Sequence, residues 1–151
     1  MAFRSQYEHS LDTKDRITIP AKHRAAFHEG VILSAGLDPC VEAWPLDAYE
    51  SFEQRHLSGL SPLGRDARVI KRRLYALSEE ESLDSSGRVR LPGHLVDHAK
   101  LEGPCVIVGA GDHLEMWSPR EWQPEEREMD ARGEEIAEGL AGRSRSGGEE
   151  S

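Results

Sequence analysis

The chain has 151 residues, 37% hydrophobic and 31% charged, with a formal net charge of −9. That length suits one compact domain or two fused small ones, with a modest core. The acidic balance argues against binding nucleic acid through overall charge, since phosphate repels it at long range; such binding has to rest on local basic clusters.

The elements follow in chain order. Residues 7–11 predict a short strand, and Asp12 opens a turn. Residues 16–19 predict a second strand, alternating apolar and polar as a half-buried strand does. Pro20 ends that strand and opens a helix running to about residue 29, where Gly30 supplies a C-terminal cap. Strands over 31–34 and 41–44 flank the turn Gly36-Leu37-Asp38-Pro39. A helix over 47–56 carries Asp47 and Glu50 spaced as a capping box. Ser61 is the expected cap of a linking helix over 62–77. The pattern then restarts: strands over 80–83 and 88–91 flank a second Asp turn, and Pro92 opens another helix. Strands over 105–108 and 113–117 flank Gly109-Ala110-Gly111-Asp112. Ser118-Pro119-Arg120-Glu121 begins the last helix. From Ser118 onward there are 5 Lys+Arg against 10 Asp+Glu. Residues 131–151, rich in Gly, Glu, Arg and Ser, are expected to fray into disorder.

The restart is a true internal repeat. Leu11-Asp12-Thr13-Lys14-Asp15-Arg16-Ile17-Thr18-Ile19-Pro20 matches Leu83-Asp84-Ser85-Ser86-Gly87-Arg88-Val89-Arg90-Leu91-Pro92 at an offset of 72. Further on the offset is 73: Gly30 matches Gly103, Glu42 matches Glu115, Trp44 matches Trp117 and Tyr49 matches Trp122. The chain divides into a first copy (1–60), the linking helix (61–78), a second copy with its C-terminal helix (79–130) and a charged tail (131–151).

The Asp-x-x-x-Arg turn has its own physics. Its Asp accepts hydrogen bonds from amides two or three residues on and closes a tight loop. Gly87 supplies a positive φ, and Asp15 at the matching place is a tolerated substitute. Asp12, Asp84 and Gly87 therefore shape the turns. A single Asp–Arg pair would read as structural, contributing about 0–1 kcal/mol. Two in a repeat place Lys14, Arg16, Arg88 and Arg90 on adjacent loops if the hairpins pair face to face. A two-stranded ribbon fits the major groove of B-DNA, where Arg contacts guanine bidentately. These four residues are the candidate DNA contacts.

Other constellations are weaker. Arg65, Arg68, Lys71, Arg72 and Arg73 form a basic helix face that suits solvent, a subunit contact or a second DNA surface. His94 and His98 have a zinc-compatible spacing but no evident third ligand. No nucleophile elbow or phosphate-binding loop is present, so neither an enzyme, a cofactor nor a metal is expected. Cys40 and Cys105, each in an apolar run, read as small buried hydrophobes of a reduced cytosolic protein. Apolar runs fall short of the ~20 residues a membrane span needs. The first six residues lack the apolar stretch of a signal peptide.

Taken as an ordered set, Tyr7-Glu8-His9-Ser10-Leu11-Asp12 through Ile19-Pro20-Ala21-Lys22, Gly36-Leu37-Asp38, Trp44-Pro45-Leu46, Leu83 to Arg88, Val108-Gly109 and Glu115-Met116-Trp117 resemble the MraZ family of bacterial transcriptional regulators. The resemblance covers about residues 1–122. It implies an α+β fold in which two tandem AbrB-like β-hairpin/helix repeats form an intrachain swapped-hairpin β-barrel with flanking helices. It also implies binding to short direct repeats of double-stranded DNA upstream of the division and cell-wall gene cluster, including the protein's own operon. Closed homo-oligomeric rings and a cytoplasmic, nucleoid-associated location are implied as well. The family's contact arginines map onto Arg16 and Arg88. Asp15 departs from the glycine of many relatives, and an acid there repels phosphate. An alternative of another class is an antitoxin-like protein-interaction module of the same fold.

Overall fold

The computed structural model describes residues 2–149 and, of these, the side chains of 2–143. The elements run β1 (Gln6–Ser10), β2 (Arg16–Thr18), a 3-10 helix (Ala21–Phe27), β3 (Val31–Ala35), β4 (Cys40–Pro45), α1 (Leu46–His56), α2 (Arg65–Ala76), β5 (Ser78–Glu81), β6 (Arg88–Arg90), α3 (Gly93–His98), β7 (Pro104–Gly109), β8 (Leu114–Trp117) and α4 (Pro119–Glu149). The chain is α+β and forms two compact units, one ending at Pro119 and one beginning at Arg120. Among the described residues no helix is long and apolar enough to cross a membrane.

The first unit holds a six-stranded antiparallel sheet in the order β1-β7-β8-β4-β3-β5 and a separate β2-β6 pair. The order reads as a palindrome of the repeat. β1 of the first copy pairs with β7 of the second, and β5 of the second pairs with β3 of the first. At the centre, β4 and β8 are matching strands, with Glu42 opposite Glu115. In the small pair, Ile17 lies opposite its own counterpart Val89. A pseudo-twofold axis therefore passes through both pairs, and the copies exchange their outer strands across it.

Among the described residues no closed barrel is found. β1 and β5 end the large sheet, and β2 and β6 bond to each other. The Asp turns redirect the chain out of the large sheet, and strands of three residues offer too few ladder bonds to bridge back to its edges. The inner faces of β2 and β6 instead pack on the core. Ile17, Ile19, Val89 and Leu91 are at most 1% exposed and cluster with Val31, Leu33, Ile107, Leu114 and Met116. Each such side chain stabilises the fold by roughly 1.5–3 kcal/mol relative to exposure. Cys40 and Cys105 are buried and form no disulfide with each other, and burial pushes the Cys105 pKa up to about 12.

Several local expectations are corrected. The segment after Pro20 is a 3-10 helix, tied at its ends by His23 N to Pro20 O (2.9 Å) and Gly30 N to Phe27 O (3.0 Å). A two-turn segment pinned at both ends tightens in this way. The capping box of α1 is absent, because the helix starts at Leu46 with Pro45 as its cap. Asp47 lies inside the first turn, where its carboxylate takes the Ala48 amide at 2.9 Å. α2 starts at Arg65 after Gly64, and Ser61 Oγ accepts the Leu63 amide (3.3 Å). α4 remains helical to Glu149, through the stretch expected to be disordered. The spaced pairs Arg132–Glu128 (2.9 Å) and Arg132–Glu135 (3.7 Å) favour the helix at the start of that stretch, against the cost of its glycines. Residues 150 and 151 lie outside the described residues.

Candidate nucleic-acid interface

The two Asp turns are built alike. Asp12 Oδ1 accepts the amides of Lys14 (2.8 Å) and Arg16 (3.0 Å), and Oδ2 takes Arg16 Nε at 2.7 Å. Asp84 Oδ1 accepts the amides of Ser86 and Arg88 (2.9 Å each), and Oδ2 takes Arg88 Nε at 2.8 Å. The Arg16 amide, then the Lys14 amide and the Arg16 guanidinium, hold Asp12 down at about 2. The Arg88 amide and side chain, with the Ser86 amide, likewise lower Asp84. Both carboxylates stay charged and keep the arginines extended from the strand starts.

The tips are left-handed, as the sequence predicts: Asp15 has φ +57° and Gly87 φ +76°. Each tip then reaches across the axis. Asp15 O accepts the Leu91 amide and Gly87 O the Ile19 amide, both at 2.9 Å.

The β2-β6 register turns this into a surface. Arg16 lies opposite Arg90, and Thr18 opposite Arg88. Directly opposed residues, and those two apart, share a face. One face thus carries Arg16, Thr18, Arg88 and Arg90, while Ile17 and Val89 point into the core. Arg16 and Arg88 begin strands of opposite direction, separated by about 7 Å along the ribbon. With Nε given to Asp, the terminal guanidinium nitrogens of both have no protein partner among the described residues. Lys14 is exposed in the first turn. All four candidate contacts are therefore gathered at one small ribbon and its turns.

Three other features went unread in the sequence. Arg24, on the 3-10 helix, donates Nε to Ile19 O at 2.8 Å and lies against Gly87. Arg73, one of the five basic residues around α2, donates to Ala35 O (3.3 Å) and Gly36 O (3.0 Å), and so staples α2 to the β3–β4 turn. On the axis, Glu42 and Glu115 sit side by side, each taking the indole N–H of its own copy's tryptophan, Trp44 (3.2 Å) and Trp117 (2.9 Å). His113 bridges them, with Nε2 3.0 Å from Glu115 and 3.6 Å from Glu42, and stacks on Trp44. Burial opposes charge on His113, but its bonds to Glu115 and Asp112 and the nearby Glu42 outweigh that and raise its pKa. Burial raises Glu42, while bonds from His113 and Trp117 outweigh burial and lower Glu115. The matching Glu-x-Trp motifs were visible as part of the repeat, but only their pairing reveals the cluster. Cys40, Glu42 and Glu115 each bring a ligand atom within 4.8 Å of the others, yet the carboxylates already serve the indoles and His113. His94 bonds Glu79 (2.9 Å) and His98 the Asp38 carbonyl (3.0 Å), so the pair does not converge.

Fold and turns together define a duplicated α+β protein that presents two Asp–Arg turns on one core-anchored ribbon. A family model described as MraZ protein, putative antitoxin-like, matches residues 2–73 and 75–143. A relative from Lactiplantibacillus plantarum is 38% identical over 138 residues, 91% of this chain and 97% of its own length. One from Caldanaerobacter subterraneus subsp. tengcongensis is 38% identical over 135 residues, 89% and 94% of the two chains. One from Roseiflexus castenholzii is 37% identical over 139 residues, 92% and 96%. Each of these three bears the name transcriptional regulator MraZ. The chain belongs to the MraZ family.

Proposed function

We propose that this chain is a DNA-binding transcriptional regulator whose contact surface is the β2-β6 ribbon. The observation that carries the reading is the pairing of Arg16 with Arg90 and of Thr18 with Arg88 on one solvent face, behind which Ile17 and Val89 fix the ribbon to the core. Such a ribbon enters a major groove about 12 Å wide, and free guanidinium ends suit guanine or phosphate. The names of the relatives agree with this role.

The reading extends to operators made of short direct repeats upstream of the division and cell-wall cluster, bound by a ring of several copies on the nucleoid. A ring answers the charge problem, because each copy offers one small basic face and linked weak contacts multiply through effective concentration. α2 is a suitable subunit contact: it buries no residue within its own chain, and Val69 and Tyr75 are exposed. In a mobility-shift assay on the DNA upstream of the protein's own gene, Arg16→Ala and Arg88→Ala should each weaken binding by about 10-fold or more, with fold and oligomer unchanged. Wild-type affinity in both variants would falsify the site assignment.

A second reading rests on α4. Met129, Ile136 and Leu140 are 53%, 38% and 56% exposed, and their helical spacing aligns them on one stripe. That stripe suits a protein partner, as an interaction module requires. Truncation after Asp130 should abolish partner capture and spare DNA binding; a pull-down with the full chain that recovers no partner counts against it.

A further inference from the structure

We propose that Arg24 is a positioning residue, a wedge from the first copy that locks the second copy's turn and so aims Arg88; its effect on DNA rests on the DNA-binding reading above. Arg24 is half-buried on the 3-10 helix, and its Nε donates to Ile19 O at 2.8 Å. The Ile19 amide donates to Gly87 O at 2.9 Å, so both backbone groups of Ile19 are held, one by the second turn and one by Arg24. The Arg24 side chain runs against the tip itself. A Cβ on Gly87 would clash with Arg24 Nε and would lie 2.6 Å from its Cδ and 2.7 Å from its Cζ. Gly87 is thus favoured twice, by its φ of +76° and because a side chain there would displace the Arg24 guanidinium. Arg24, Phe27, His28, Asp84, Ser85 and Gly87 line one groove, so the wedge shares a groove with Asp84, the carboxylate that holds Arg88.

The contact is one-sided. The repeat puts Val96 where Arg24 stands in the first copy, and Val96 has no donor to offer the first turn. Asp15, at the first tip, is exposed whereas Gly87 is buried. The first copy therefore grips the second turn through Arg24, a grip that Val96 cannot return.

A double-mutant cycle tests the wedge without DNA. Gly87→Ala should push the guanidinium aside and break its bond to Ile19, so most of the damage of Arg24→Ala is already done. The two losses in thermal midpoint should then sum to clearly more than the loss in the double variant, by about 3 °C or more. Additive losses overturn the wedge. The second arm uses a duplex carrying the DNA upstream of the protein's own gene. Arg24→Met should bind it about tenfold more weakly, the equivalent of one charge-assisted hydrogen bond. The slope of log affinity against log salt should stay as in the wild type, because a positioning residue releases no counterions. A slope reduced by about 1 makes Arg24 itself a phosphate contact and overturns the positioning role, as does unchanged affinity. Failure of the wild type to shift the duplex overturns the DNA-binding reading instead, and the thermal cycle still decides whether the wedge exists.

Discussion

The two turns share one closing mechanism and differ in what surrounds it. In each, a carboxylate gathers two amides and one Nε. The first tip is Asp15, exposed and acidic, with Val96 at the position Arg24 holds in the other copy; the second is Gly87, buried against Arg24. The first turn is thus tuned by charge and the second by geometry. In a dimer of identical chains any change at one turn would appear at both. Duplication within one chain frees each turn to change alone, and the sequence has used that freedom.

The strongest way to break the comparison is to give the second turn the first turn's tip. Gly87→Asp leaves a residue type that tolerates positive φ, but its Cβ evicts Arg24. We expect DNA affinity to fall by about 100-fold, with a thermal midpoint lower by several degrees, on the order expected for one strained and overpacked site. Next comes the ranking of the arginines. On the DNA-binding reading, Arg88→Ala should cost about 30-fold in affinity and Arg16→Ala about 10-fold, within the range for single arginine contacts, because the Asp15 carboxylate would repel phosphate at the first turn. Equal losses, measured by titration at one fixed salt concentration, would remove the asymmetry. Asp15→Gly should act more gently and in the opposite direction: affinity rises about two- to fivefold and the salt slope steepens, as the repulsive charge leaves.

The smallest effect concerns the axis, where His113 stands in the second copy and Cys40 in the first. The His113 pKa is raised by Glu115, Asp112 and Glu42, and Arg55 approaches Asp112 from α1 at 3.8 Å. A raised folded pKa gives stability that is complete below the unfolded value of 6.5 and lost as pH climbs through the folded value. His113→Gln should therefore lower the thermal midpoint by about 2 °C at pH 5.5 and by less at pH 9. An equal deficit at the two pH values would show that the ring acts by stacking on Trp44 rather than by charge.

Much of this was legible in the sequence because it is local. The repeat announced the turns, and Asp12, Asp84 and Gly87 identified themselves by type and spacing. The strand cores were likewise recoverable from alternation, down to Ile17 and Val89. What escaped is set by partners far along the chain. Nothing near β1 says that it pairs with Pro104–Gly109 rather than with its own copy. The role of Arg24 is set by Gly87, far along the chain. The capping box of Asp47 and Glu50 failed for a local reason that patterns miss, since Pro45 had already started the helix one residue earlier.

The exchange of outer strands has a consequence for how the chain is made. Gln6 at the start of β1 pairs opposite Val108, so β1 leaves the ribosome well before the strand that completes its ladder. At ordinary synthesis rates that interval is on the order of 5–20 s. Throughout it, a strand edge is open to stray pairing. The side chains of β1 suit such a wait: Gln6, Glu8, His9 and Ser10 surround a single aromatic, Tyr7, and polar, charged edges resist unwanted neighbours. The polarity of β1 thus serves the nascent chain as much as the finished sheet.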